Sequence, residues 1–163
     1  MQIRSKLAFL VGLMALVLAS ACRRDECDQP VPEIDLVEFT QFSRDSAVLV
    51  ISFKDCDGDV GLPPELKDGE FRHNLFVEYF ELQQGEWVRF DTTGTGADGL
   101  YYRVPLIDPE GSSKTLEGDI SIKLGSYYNV FSPYDTVRYE IRLKDRSLNV
   151  SNVITTQTYV FPR

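Results

Sequence analysis

The stretch Val137–Leu143 narrows the choice of folds more than any other part of the chain. Val137, Tyr139, Ile141 and Leu143 alternate there with Arg138, Glu140 and Arg142. Apolar residues at every second position all fall on one face of an extended chain, with the charges on the other. A helix cannot sort them this way, because its side chains return to a face every three to four residues. The segment is predicted to be a half-buried β-strand, with Lys144 continuing the outward row.

The same reading extends along the chain. Ile34–Phe42 and Ala47–Lys54 are predicted strands, the second apolar on both faces as a central strand should be. Leu75–Gln83 and Trp87–Asp91 follow, joined by a turn at Gly85-Glu86. Next come Leu100–Ile107 and Asp119–Leu124, the latter with Ile120, Ile122 and Leu124 on one face. Asn152–Phe161 closes the chain as a Thr-rich strand. Beyond residue 33 no segment holds a 3.6-residue period. Seven to eight short strands in one domain imply an all-β fold, an immunoglobulin/fibronectin-III-like β-sandwich, with a Greek-key barrel as the alternative.

The chain has 163 residues, enough for one domain with a working core, and 17 Lys+Arg against 25 Asp+Glu, a net charge of −8. An acidic chain without a basic run is a poor partner for nucleic acid, whose phosphates demand a positive patch. His73 is the lone histidine. A histidine-rich metal site is therefore excluded.

The first residues read as an address. Arg4 and Lys6 precede the uncharged run Leu7–Ala19, and small residues lead into Cys22. This is the pattern of a cleaved secretory signal. Leu7 to Cys22 is 16 residues, short of the roughly 20 needed to span a bilayer. The segment Ala19-Ser20-Ala21-Cys22 resembles the lipobox of bacterial lipoproteins, with Ala19 where leucine is usual. That resemblance implies removal of residues 1–21 and acylation of Cys22. It implies a lipid anchor in the cell envelope, most often the outer membrane. Residues 22–33, polar and carrying Pro30 and Pro32, then serve as a tether, and residues 34–163 form the domain. Loss of Arg4 and Lys6 takes the net charge from −8 to −10, so charge would not hold this body to anionic lipid.

With Cys22 acylated, Cys27 and Cys56 remain as an even pair in an oxidising compartment. They are predicted to form a disulfide; two unrelated thiols is the alternative. In an immunoglobulin-type sandwich the first strand begins at the end where the second strand finishes. Cys27 and Cys56 then lie together.

Asp55, Asp57 and Asp59 occupy alternate positions directly after the second strand, with Gly58 and Gly61 allowing tight curvature. Three carboxylates so close repel one another unless a cation neutralises them or the loop splays into water. Oxygen ligands so spaced suit calcium, which accepts flexible oxygen-only geometry. The loop is no EF-hand: Val60 stands where that loop needs glycine and Leu66 where it needs glutamate. Glu65 and Asp68 are candidates for a later ligand. The loop after the penultimate strand should share this end of the sandwich and bring Asp145, and with it Asn149, alongside. The predicted set is Asp55, Asp57, Asp59 and Asp145 around a structural calcium, against a solvated acidic turn.

Asp145-Arg146-Ser147-Leu148-Asn149-Val150-Ser151 resembles the D-x-x-G-N-x-S turn of bacterial Ig-like modules, with Leu148 where glycine is usual. Together with the lipobox and the D-x-D-G-D-x-G loop at Asp55–Gly61, the chain resembles small surface lipoproteins of Bacteroidetes. No enzymatic activity comes with that resemblance.

Elsewhere the chemistry is thin. Trp87 and the loop Tyr127, Tyr128, Phe131 and Tyr134 are expected at the opposite end. There they either cap the core or stack on a glycan or a surface protein. His73 has no nucleophile signature beside it and is expected to be an exposed loop residue. Gly94, Gly96 and Gly99 lack the strand-to-helix setting of a phosphate loop. The expected protein is a non-catalytic, lipid-anchored binding or structural module. Its rivals are a carbohydrate-binding lipoprotein using Trp87 and residues 127–134, and a small hydrolase with acidic catalytic groups.

Overall fold

Alternation of side chains drives the architecture, and three of the long strands, Ser46–Asp55, Leu75–Gln83 and Thr136–Leu143, each bury one of their two rows. The computed structural model describes residues 27, 29–43, 46–90, 100–107, 114–125 and 132–161. Its strands are β1 (Glu33–Ser43), β2 (Ser46–Asp55), β3 (Leu75–Gln83), β4 (Glu86–Arg89), β5 (Leu100–Tyr102), β6 (Leu116–Gly125), β7 (Thr136–Leu143), β8 (Ile154–Thr155) and β9 (Tyr159–Val160). One 3-10 turn spans Gly69–Phe71. Among the described residues no helix is long and apolar enough to cross a membrane.

The strands form two antiparallel sheets, an all-β sandwich. One has the order β1-β2-β6; the other is β4-β3-β7-β8, with β5 also paired to β3 and β9 to β7. Ala47, Leu49, Ile51 and Phe53 of β2 face Val77 and Tyr79 of β3 and Val137, Tyr139, Ile141 and Leu143 of β7 in one continuous core. All four predicted inward residues of β7 are buried to within 0% exposure. Each such side chain contributes about 1.5–3 kcal/mol by leaving water.

Four strand expectations need correction. The last strand is two short pieces, so nine strands stand among the described residues. At the break, Thr156 Oγ1 accepts from the Tyr139 N–H at 3.1 Å, replacing a main-chain carbonyl in the ladder. Ser151 Oγ does the same for the Leu143 N–H at 3.0 Å. Leu100–Ile107 is a strand only as far as Tyr102, because the chain then turns to pair Leu62 with Pro105. The β3–β4 turn is centred on Gln84 and Gly85, both at positive φ. Lys144 does not face water: it is 8% exposed, and its Nζ donates to the Glu70 carbonyl at 2.6 Å and carboxylate at 3.0 Å.

Topology sets which loops meet. Glu33 at the start of β1 pairs with Lys54, and Leu75 at the start of β3 pairs with Leu143. The C-terminal ends of β2 and β7 therefore lie at one end of the sandwich. The β3–β4 turn and Trp87 lie at the other.

Candidate metal centre

Asp55 is the last residue of β2 and is completely buried. The loop that follows is pinned by Val60 and Leu62, both in the core, so it cannot splay outward. The Leu62 N–H donates to the Val104 carbonyl, and the Leu106 N–H returns to the Leu62 carbonyl. Gly61 makes this close approach possible: its φ is +94°, and a Cβ there would sit 2.4 Å from the Pro105 carbonyl oxygen.

Within the loop, Asp55 Oδ2 accepts from the backbone N–H groups of Asp59 at 2.7 Å and Val60 at 2.8 Å. Those two bonds curl the chain back so that Asp57 and Asp59 come round beside Asp55. Asp55 Oδ1 has no protein partner although the side chain is buried, and neither has the buried Oδ1 of Asp59. A buried, unpaired carboxylate oxygen is expensive.

The second ligand loop arrives from β7. Asp145 is fully buried, and both its oxygens are held by Asn149, from the backbone N–H at 2.8 Å and from Nδ2 at 2.9 Å. Ser147 stitches the loops together, donating to Asp59 Oδ2 from Oγ at 2.6 Å and from its N–H at 3.1 Å. The Arg146 N–H donates to the Asp59 carbonyl, and its guanidinium reaches the carbonyls of Gly61 at 2.9 Å and Gly58 at 3.5 Å. One carboxylate oxygen from each of Asp55, Asp57, Asp59 and Asp145 lies within 4.8 Å of the other three. The structure thus brings together all four predicted ligands, in a cluster that could hold a metal ion. Glu65 and Asp68 are not part of it.

Electrostatics follow from this crowding. Burial lifts the Asp55 carboxyl from 3.8 to about 6; the N–H groups of Val60 and Asp59 pull it down, and the nearby Asp57 carboxyl pushes it up. Burial also raises Asp145, with Asn149 opposing and the charges of Asp59 and Asp57 adding to the rise. Both shifts come first from burial of the carboxyl, with neighbouring carboxylates adding to the rise, while Asp57 itself is exposed.

Cys27 and Cys56 form a disulfide with Cα atoms 5.2 Å apart, at this same end. Beyond it, the Pro30 carbonyl accepts from Asn149 Nδ2 at 3.2 Å, and Pro32 is buried.

Three supporting residues were not predicted as such: Arg146, Ser147 and the positioning role of Asn149. Their signal was the polar run directly after β7, but which atoms meet depends on how two distant loops face each other. Leu148, predicted to occupy a glycine position, has φ +68° and is exposed.

The other candidates fare differently. Trp87 is half-buried, and the Arg138 guanidinium lies over its ring at 4.5 Å, covering one face that a sugar would use. Tyr134 is half-buried, while Tyr127, Tyr128 and Phe131 lie outside the described residues, as do Cys22, the signal segment and Gly94, Gly96 and Gly99. His73 is half-buried rather than exposed, its ring 6.0 Å from that of Tyr101. Comparison with protein-family models, curated proteins and solved structures returned no match to this chain.

Proposed function

We propose that this protein is a lipid-anchored module of a bacterial cell envelope, non-catalytic, whose anchor-side end is held together by a structural calcium ion. The observation that carries the reading is the pair of buried, unpartnered oxygens on Asp55 and Asp59, within a cluster completed by Asp57 and Asp145. Calcium fits the donor set because every candidate ligand is oxygen and the loop is irregular; magnesium demands stricter octahedral geometry and retains its waters.

Anchoring rests on the lipobox-like run ending at Cys22. Cys27 follows Cys22 by five residues and is fixed by its disulfide to the calcium end. An extended chain of that length reaches at most ~18 Å, so the calcium end would face the membrane. An ion placed there stabilises the fold against its own tether rather than meeting a substrate. The opposite end, with Trp87 and Tyr134, is left as the side that meets a glycan or surface protein.

Thermal unfolding in chelator and in calcium tests the reading. An affinity of ~0.1–1 mM suffices outside a cytosol. At 10 mM calcium such a site adds about 1.4–2.7 kcal/mol. Asp57→Ala should abolish most of the calcium-dependent rise, and Glu86→Ala, in the distant β3–β4 turn, should leave it intact. An unchanged melting temperature between chelator and 10 mM calcium would decide for a solvated acidic turn.

A further inference from the structure

The disulfide does not merely lie near the acidic cluster. Cys56 stands between two of its members, Asp55 and Asp57, so the covalent bond to Cys27 grips the first ligand loop at its centre. Three residues further along, the same N-terminal segment grips the second ligand loop. The Pro30 carbonyl accepts from Asn149 Nδ2, the same amide that donates to Asp145 Oδ2. The segment is then fastened a third time. The Ile34 N–H donates to Asn152 Oδ1 at 2.9 Å, and Asn152 Nδ2 donates to the Ile34 carbonyl at 2.8 Å.

Cys27, Pro30 and Ile34 thus fasten the N-terminal segment, as a strap, to both ligand-bearing loops. A cation among the four carboxylates would bridge the same two loops from inside. Two devices that close one gap are thermodynamically coupled, because each fixes part of the geometry the other needs. Without a cation, mutual repulsion of Asp55, Asp57, Asp59 and Asp145 works to open the gap, and the strap opposes it.

We infer that the Cys27–Cys56 disulfide controls the cation site: the oxidised protein binds calcium more tightly than the reduced protein, and bound calcium protects the disulfide from reduction by the same factor. This rests on the calcium reading above and adds its regulation. Reciprocity is required by linkage, whichever partner is varied. The two conditions that change when a chain leaves a cytosol, oxidation and available calcium, would then act on the same two loops. The redox step is simple. A dithiol passes two electrons and two protons to the Cys27–Cys56 bond, yields two thiols, and is itself left as a disulfide.

Calorimetric titration of the chain from residue 22 to 163 with calcium alone tests the inference, comparing oxidised protein, dithiothreitol-reduced protein and the Cys27→Ser/Cys56→Ser double variant. Coupling of this kind is worth about 5- to 150-fold. A fivefold or larger loss of calcium affinity on reduction is expected, reproduced by the double variant; any smaller change overturns the coupling. If oxidised protein binds no calcium, the site itself falls and the inference with it. Equal binding by both forms retains the site and removes only the coupling. Should the reduced forms unfold, the reduction midpoint of wild-type protein in dithiol buffers supplies the second measurement. Calcium should make the disulfide at least fivefold harder to reduce, beyond the effect of an osmolyte that raises the melting temperature equally. An osmolyte that matches the calcium effect overturns the inference.

Discussion

Replacing Asp55 by asparagine should stabilise the protein without calcium and destroy most of its response to calcium. The wild-type carboxyl is buried to 0% exposure, and burial is the main reason its pKa stands at about 6 against an ordinary 3.8. At about 1.4 kcal/mol for each tenfold change in proton affinity, ionising it at pH 7 costs the metal-free fold ~3 kcal/mol. Asparagine keeps a carbonyl oxygen to accept from the N–H groups of Asp59 and Val60, as Asp55 Oδ2 does now. Its amide then offers donors in the place of Oδ1, which has no partner. The charge disappears and the orphaned atom becomes a donor among carboxylates.

The expected gain is ~2–3 kcal/mol in chelator at pH 7, or roughly 10 °C in melting temperature for a domain of this size. Calcium should narrow the gap from the other side. Wild-type protein gains about 1.4–2.7 kcal/mol at 10 mM for the affinity class above, while the variant, short of a ligand, gains little. The two proteins should then differ by about 1.6 kcal/mol or less. The pH dependence has a definite sign. A carboxyl whose folded pKa is raised binds its proton more tightly in the folded state. Its contribution is therefore favourable below about pH 4 and is lost as pH rises through about 6. The advantage of Asp55→Asn in chelator should accordingly shrink as pH falls from 7 to 4. Thermal unfolding by circular dichroism reads all three comparisons. A variant no more stable than wild type in chelator at pH 7 would refute the argument, since it would mean Asp55 is not destabilised by its own charge.

Gly61→Ala should destabilise the fold by at least about 2 kcal/mol, because φ is +94° and the new Cβ meets the Pro105 carbonyl; chemical denaturation measures it, and calcium affinity should fall too. Leu148→Gly should leave calcium affinity unchanged and raise stability by up to ~1 kcal/mol, since an exposed leucine at φ +68° carries backbone strain that glycine does not. Intact-mass analysis of protein from membranes should find a chain beginning at acylated Cys22, and Cys22→Ser should release the domain or leave residues 1–21 attached; wild-type protein retaining residues 1–21 would contradict the anchor.

β3 and β7 were legible because each carries a two-residue period over many residues: β3 begins and ends where the alternation does, and the inward row of β7 is the predicted one. The acidic set was legible for a different reason. Antiparallel topology places the ends of β2 and β7 together whatever their side chains, so Asp145 could be assigned to Asp55–Asp59 from strand order. What escaped was local. In β1 the pairing shifts between Leu36 and Glu38, so the inward row runs Ile34, Leu36, then Phe39, and Val37 is left exposed. A bulge of this kind inverts the pattern without a signature in residue type. At the break in the last strand and just before its start, the hydroxyls of Thr156 and Ser151 substitute for main-chain acceptors, and nothing in residue type says which hydroxyls will do so. Lys144 was misread because alternation predicts direction and not what waits there: Glu70, 74 residues earlier, supplies the partner that makes burial tolerable.

Arg146 bears on why the cluster keeps its charge. The cheapest remedy for four crowded carboxylates is a guanidinium among them, bonded to two oxygens at once. Arg146 stands at the right place in the sequence, one residue after Asp145. Its donors go instead to the carbonyls of Gly61 and Gly58 and, through the backbone, to that of Asp59. It shapes the loop that carries the carboxylates and leaves Oδ1 of Asp55 and Asp59 without a partner. Asn149 and Ser147 behave alike, fixing Asp145 and one oxygen of Asp59 by neutral donors that cancel no charge. Among the described residues these bonds add geometry, and no cationic side chain bonds to a carboxylate oxygen of the four. A loop evolved only to turn would be better served by losing one aspartate than by organising all four so rigidly. The proposed calcium reading accounts for this arrangement, because a cation would supply the positive charge that these supporting bonds do not.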